Sequence, residues 1–178
     1  MLKDMIEGAL RVKQIALDPA YKLLPGKMKS DEATVMLLSI IGQESDFRHQ
    51  SQVGGPAAGL AQFEAGGGIR GVINHSKSSA YARDVCHALG VPFTVDDVYA
   101  ALKSAGPGMD ALDAAFARLL LWTEPDPLPR VSDADTAFFY YVDAWRPGAY
   151  WRGTKDKKLE LRGKFLRYHG AVLKALNL

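Results

Sequence analysis

The sequence predicts a mainly α fold in a single domain. Apolar residues recur at three- and four-residue intervals along most of the chain, and Ser30, Thr94 and Ser132 stand where helix N-caps belong. No two alternating apolar runs are joined by a tight turn, so little or no β structure is expected. A length of 178 residues suits one domain, 1–178, with a core that needs neither disulfide nor metal.

Residues 3–17 place Met5, Ile6, Ala9, Leu10, Lys13, Ala16 and Leu17 on one helical face, and Asp18-Pro19 is expected to stop that helix. Ser30 should cap a second helix over about 31–46, with Ala33, Met36, Leu37, Ile40 and Ile41 as its apolar stripe. Residues 48–70 break the pattern. They hold Gly54, Gly55, Pro56, Gly59 and Gly66-Gly67-Gly68, and read as a long irregular Gly-rich loop. Loops of that length in a small domain are usually functional.

Helical spacing returns over about 78–89, with Tyr81, Ala82, Val85, Cys86 and Leu89 on one face. Thr94 and Asp97 form a capping-box pattern for a helix over about 95–104. A longer helix covers about 110–123, and Pro125, Pro127 and Pro129 form a stiff link. Ser132 with Asp135 marks the start of a helix over about 133–145. Its Ala137-Phe138-Phe139-Tyr140-Tyr141-Val142 run is apolar nearly all round, so it should be central. The last helix spans about 157–176.

Composition excludes several classes. Apolar residues at 48% and charged residues at 24% exclude a disordered chain. One cysteine, Cys86, excludes an internal disulfide. His49, His75, His87 and His169 have no ligand spacing with Cys86, so no metal and no cofactor are expected. Gly66-Gly67-Gly68 lacks the Gly-Lys-Ser/Thr of a phosphate loop. No apolar run approaches the ~20 residues of a membrane helix, and the opening MLKDMIEGALRVKQ does not read as a signal peptide.

The net charge of +2 is no polycation, so no nucleic-acid partner is expected. Residues 146–178 nevertheless hold nine Lys/Arg against two acids. That local excess suits an anionic cell-wall or membrane surface.

Glu44 is the most informative position. With Ile40 and Ile41 four and three residues before it, its side chain points where the core residues point. Burial and the nearby helix C-terminus both disfavour a carboxylate, so its pKa should rise. A carboxylic acid still protonated near neutral pH is what general-acid cleavage of a glycosidic bond requires. A glutamate in a buried salt bridge would occupy the same position.

The run Gln43-Glu44-Ser45-Asp46-Phe47, followed by Gly59-Leu60-Ala61-Gln62, resembles the Glu-Ser-x-Phe … Gly-Leu-Met-Gln pattern of the soluble lytic transglycosylase and goose-type lysozyme group. The spacing of 18 residues from Glu44 to Gln62 agrees with many members. Ala61 stands for the usual Met, and Pro56 for the first Gly of the family's Gly-Ala-x-Gly-Leu stretch. The family's Tyr-Asn pair has only Tyr140 or Tyr141 as its counterpart, without the Asn.

The resemblance implies a lysozyme-like domain in which Glu44 is the catalytic acid. It also implies a substrate site drawing on Phe47, Ser51, Gly59, Leu60, Gln62 and one of the two tyrosines, and peptidoglycan glycan strands as the partner. Trp145, four residues after Tyr141, is placed to stack on a sugar, and Arg146 to meet a peptide or lactyl carboxylate. The implied reaction is transglycosylation by one carboxyl group, leaving 1,6-anhydro ends. A hydrolase of the same fold would need a second carboxylate, for which Glu64, Asp46, Asp135 and Asp143 are available. A bare catalytic domain fits a bacteriophage endolysin or virion component acting in the periplasm or wall. A non-catalytic structural phage protein of the same fold is the remaining alternative.

Overall fold

Ser30 starts the central helix. Its Oγ accepts the Ala33 N–H at 3.1 Å, and Asp31 and Glu32 sit in the first turn, where negative charge suits the helix N-terminus. This helix, α3, runs Asp31–Ser45, and 12 of its 15 residues are buried. The expected stripe is thus a nearly all-round buried surface. The computed structural model describes residues 1–48, 50–51, 55–104 and 106–178, without the side chains of 50, 51 and 107.

The N-terminal helix α1, Leu2–Val12, buries Ala9 and Val12, while Leu10 is 45% exposed. The buried face is therefore rotated from the expected one, which included Leu10. Asp18-Pro19 does not stop the chain's helical course. A π-turn, Lys13–Leu17, widens the spiral so that Asp18 N–H bonds to the Lys13 carbonyl, and α2 continues over Asp18–Leu23. Pro19 then occupies the first turn of α2, where its missing N–H is not needed.

The stretch expected to be irregular is largely folded among the described residues. Three short strands form an antiparallel sheet in the order β1-β2-β3: β1 Gln50–Ser51, β2 Ala57–Gly59 and β3 Phe63–Glu64. Gln50 pairs with Gly59, and Ala58 with both Ser51 and Phe63. A π-turn over Ala65–Ile69 leads into α4, Arg70–Asn74. Residues 52–54 lie outside the described residues.

Next come α5 (Ser79–Ala88) and α6 (Val95–Lys103). Thr94 caps α6 as expected, its Oγ1 accepting from Asp97 N–H at 3.1 Å. Helix α7 spans Pro107–Thr123, starting earlier than predicted because Pro107 takes a first-turn position. Helix α8 spans Ala134–Trp145 and is capped by Asp133, not Ser132; the Asp133 carboxylate accepts the Thr136 N–H at 3.0 Å. Phe138 and Tyr141 are buried, but Phe139 is 50% exposed, so α8 is central on one face only. A short helix, α9 (Gly148–Trp151), was not foreseen. Thr154 caps the last helix, α10, Lys155–Leu176.

One hydrophobic core joins these elements. Helix α10 packs along both α1 and α3. A Cβ at Gly42 would overlap the Tyr168 ring, so the absence of a side chain lets α10 approach the last turns of α3. Phe138 and Tyr141 of α8 pack against Phe165 of α10, and Phe116 of α7 is fully buried. Among the described residues no helix is long and apolar enough to cross a membrane. Nor does any group of three His, Cys, Asp or Glu lie together as metal ligands.

Candidate functional site

The last turn of α3 delivers Glu44 to the wall of a cleft of about 840 Å³. The cleft is bounded by α3, the sheet, the ends of α7 and α8, and α10. Glu44 lies deep in it with part of its surface open to the cleft. The Tyr141 hydroxyl donates to Glu44 Oε1 at 2.6 Å. Burial pushes the Glu44 carboxyl up to about 7, against the opposing pull of the Tyr141 hydrogen bond and the Lys164 charge. Burial and the neighbouring Glu44 also raise Tyr141, which keeps its hydroxyl a donor.

Tyr141 is therefore the tyrosine that faces the acid. The Tyr140 hydroxyl instead donates to the backbone carbonyls of Leu121 at 3.3 Å and Asp126 at 3.4 Å, away from Glu44. One residue along a helix is a rotation of about 100°, enough to send neighbouring side chains to different partners.

The Gly59-Leu60-Ala61-Gln62 turn brings Gln62 into the lining of the same cleft as Glu44. Gly59 has φ +83°, and a Cβ there would overlap the Asp113 carboxylate. Asp113, buried on α7, accepts the N–H of Leu60 and, at 3.4 Å, that of Ala61. Burial pushes the Asp113 carboxyl up to about 7, and these two N–H groups pull the other way. Gln62, itself at φ +54°, folds its amide Nε2 back to the Gly59 carbonyl at 2.8 Å. Trp145 Nε1 donates to the Ala61 carbonyl at 3.0 Å, and its ring leans on Phe63. The turn is thus held from below by α7 and from the side by α8.

The predicted site residues separate into two sets. Glu44, Gln62, Tyr141, Trp145 and Arg146 line the cleft together. Gly59 and Leu60 do not: both are buried, and their part is to seat the turn on Asp113. Phe47 is 1% exposed and packs edge-on against Tyr168 at 5.3 Å, as core and not as a sugar platform. Tyr140 is bound elsewhere, as described. The backbone of Ser51 belongs to β1, and its side chain and all of His49 lie outside the described residues.

Of the four possible second carboxylates, Glu64 lines the cleft. Asp46 points away from it, accepting the Tyr168 hydroxyl at 2.5 Å and pairing with Lys164 at 3.1 Å. Asp135 pairs with Arg162 at the surface at 2.5 Å. Asp143 is exposed outside the cleft lining.

Three further residues escaped the sequence reading. Glu124, just past α7, lines the cleft; partial burial raises its carboxyl against the pull of Arg146. Lys164 of α10 reaches the cleft beside Glu44. Asp113 carried a signal like that of Glu44, an acid on an apolar helical face with Phe116, Ala117 and Leu120 at three, four and seven residues, though Asp110 three residues before it shares that face. Glu124 and Lys164 carried no comparable pattern.

The arrangement sets a carboxyl raised to about 7 against a cleft walled by an amide, an indole and a guanidinium. Such a group can protonate a leaving oxygen and then take a proton back. No family model, curated protein or solved structure matches the chain.

Proposed function

We propose that this protein cleaves the β-1,4 linkage between N-acetylmuramic acid and N-acetylglucosamine in peptidoglycan, with Glu44 as its single acid–base group. The observation that carries the reading is the Glu44 carboxyl itself. It lies deep in the wall of the cleft, holds a hydroxyl donor at 2.6 Å and is pushed up by burial to about 7.

In the first step the Glu44 carboxyl protonates the glycosidic oxygen as the bond to C1 breaks. In the second, the Glu44 carboxylate accepts the proton of the sugar's own C6 hydroxyl as that oxygen attacks C1. The product is a 1,6-anhydro end, with no water consumed. Tyr141 steadies the carboxylate between the two steps by donating to Oε1. Trp145 offers a stacking face, and Gln62 offers an amide to the acetamido groups.

The motif resemblance to the lytic transglycosylase and goose-type lysozyme group supports this reading. The cationic α9–α10 region would meet the anionic wall or a membrane surface. A second reading, hydrolysis by a lysozyme-like pair, draws on Glu64 and Glu124, which share the cleft with Glu44.

Digestion of purified peptidoglycan followed by mass analysis of the released fragments tests the proposal. Anhydro ends are expected. Reducing ends would favour the hydrolytic pair, and an undigested wall would overturn both readings.

A further inference from the structure

The end of α3 is an unusual place for an acid that has to lose and regain a proton. The last carbonyls of a helix carry partial negative charge, and a newly formed carboxylate beside them is disfavoured. Behind Glu44 the backbone also leaves the helix through two consecutive left-handed residues, Asp46 at φ 52° and Phe47 at φ 61°. Conformations of this kind persist only when their surroundings hold them.

Side chains from two other helices do so here. Lys164 of α10 donates from Nζ to the Gln43 carbonyl at 2.7 Å and pairs with Asp46 at 3.1 Å. Tyr168, one turn further along α10, donates to the same Asp46 oxygen at 2.5 Å. Arg11 of α1 donates to the Phe47 carbonyl. Of these three, Lys164 also lines the cleft with Glu44.

We propose that Lys164 is a positioning residue for Glu44: its ammonium ties down the end of the helix that carries the acid and supplies the positive charge against which the carboxylate is held after proton transfer. The inference deepens the glycan-cleavage reading and rests on it for its mechanistic meaning. Without this charge, the Tyr141 hydrogen bond alone would oppose burial and the helix terminus. Glu44 would then protonate the leaving oxygen less readily, because giving up its proton would leave a costlier anion.

The other groups around Glu44 do not replace it. Tyr141 of α8 donates a hydrogen bond but carries no positive charge. Glu64 and Glu124 across the cleft are anionic when ionised. Arg146 lines the cleft beyond the end of α8 and acts on Glu124. Asp113 is engaged with the backbone of the 59–62 turn. Asp46 is Lys164's own ion-pair partner.

The test is a carbon-13 NMR titration of the glutamate carboxyls in the full chain, with Glu44 assigned by its absence in Glu44→Gln. Lys164→Met should move the Glu44 titration upward by about one pH unit, in the range expected for losing a nearby opposite charge. Lys164→Arg should leave it within a few tenths. Repeating Lys164→Met in an Asp46→Asn background separates the ammonium's effect from that of the freed Asp46 carboxylate; the upward shift should persist. Lys164→Gln serves the same arm if Lys164→Met does not fold.

A Glu44 titration unmoved or lowered by Lys164→Met, or an upward shift that vanishes in the Asp46→Asn background, would overturn the inference. On peptidoglycan, the alkaline limb of the Lys164→Met rate profile should follow the same shift, with a lower kcat. If the NMR shift occurs but the wild-type protein cleaves no peptidoglycan, the glycan-cleavage reading fails while Lys164's hold on Glu44 stands. If the wall is cleaved but the titration does not move, only the role of Lys164 fails.

Discussion

At the scale of single residues, two buried carboxyls divide the work of the cleft. Glu44 faces the open space and keeps its proton to about 7. Asp113 faces the backbone of the opposite wall and holds the turn that presents Gln62. Both are acids on apolar helical faces, and nothing in either pattern distinguishes a reacting group from a bracing one. Glu44 was legible because a family-like motif surrounds it, whereas Asp113 has no such motif. Tyr140 and Tyr141 were indistinguishable in sequence, since a one-residue difference in register decides which one meets the acid. Asp113→Asn should loosen the 59–62 turn and lower stability by roughly 1–3 kcal/mol, the usual cost of disturbing a buried hydrogen-bonded group. Gly59→Ala should destabilise as well, because the position has φ +83° and no room for a Cβ. Chemical denaturation of both variants checks this; stabilities equal to wild type would mean that the turn is not anchored through Asp113.

At the scale of elements, the caps explain both the hits and the misses. Thr94 was readable because it is a lone good cap before a periodic run; Ser30, with Asp31 beside it, was read correctly although its neighbour could also have capped. Ser132 and Asp133 are adjacent capping residues, and only the structure selects the second. Pro19 misled because a π-turn makes room for it, and a π-turn leaves no local sequence signal. The sheet was invisible because its strands are two or three residues long, too short for a period of two to register. Ser30→Ala should cost about 1 kcal/mol, the typical value for a lost N-cap. Because Ser30 and Glu44 lie at opposite ends of α3, the proposed wall-cleaving activity should not change. Thermal melts and rate assays on the same sample test both statements, and a lost rate without a lowered Tm would contradict them.

At the scale of the whole molecule, the two raised carboxyls couple folding to pH. Each binds its proton more tightly in the folded chain than in the unfolded one, where carboxyls titrate near ~4. Their contribution is therefore fully present below that range and is lost as the pH rises through about 7. The slope is at most about 1.4 kcal/mol per pH unit for each group. Asp46 acts in the opposite sense: burial would raise it, but Tyr168 and Lys164 hold it below the ordinary range, so its contribution is lost only in acid. The protein should melt at a lower temperature at pH 8.5 than at pH 5.5, and Glu44→Gln should flatten that dependence. A melting temperature that rises over this interval would contradict the assignment of both groups.

The central claim is that one carboxyl does the chemistry, and the wall itself is its most direct test. Purified peptidoglycan incubated with wild-type protein and with folded Glu44→Gln should be solubilised only by the first. The amide fills the same space but cannot supply a proton, and losing a general acid of this kind costs about 10²- to 10⁴-fold in rate. If the Glu44→Gln variant solubilises the wall at the wild-type rate, the chemistry does not pass through Glu44.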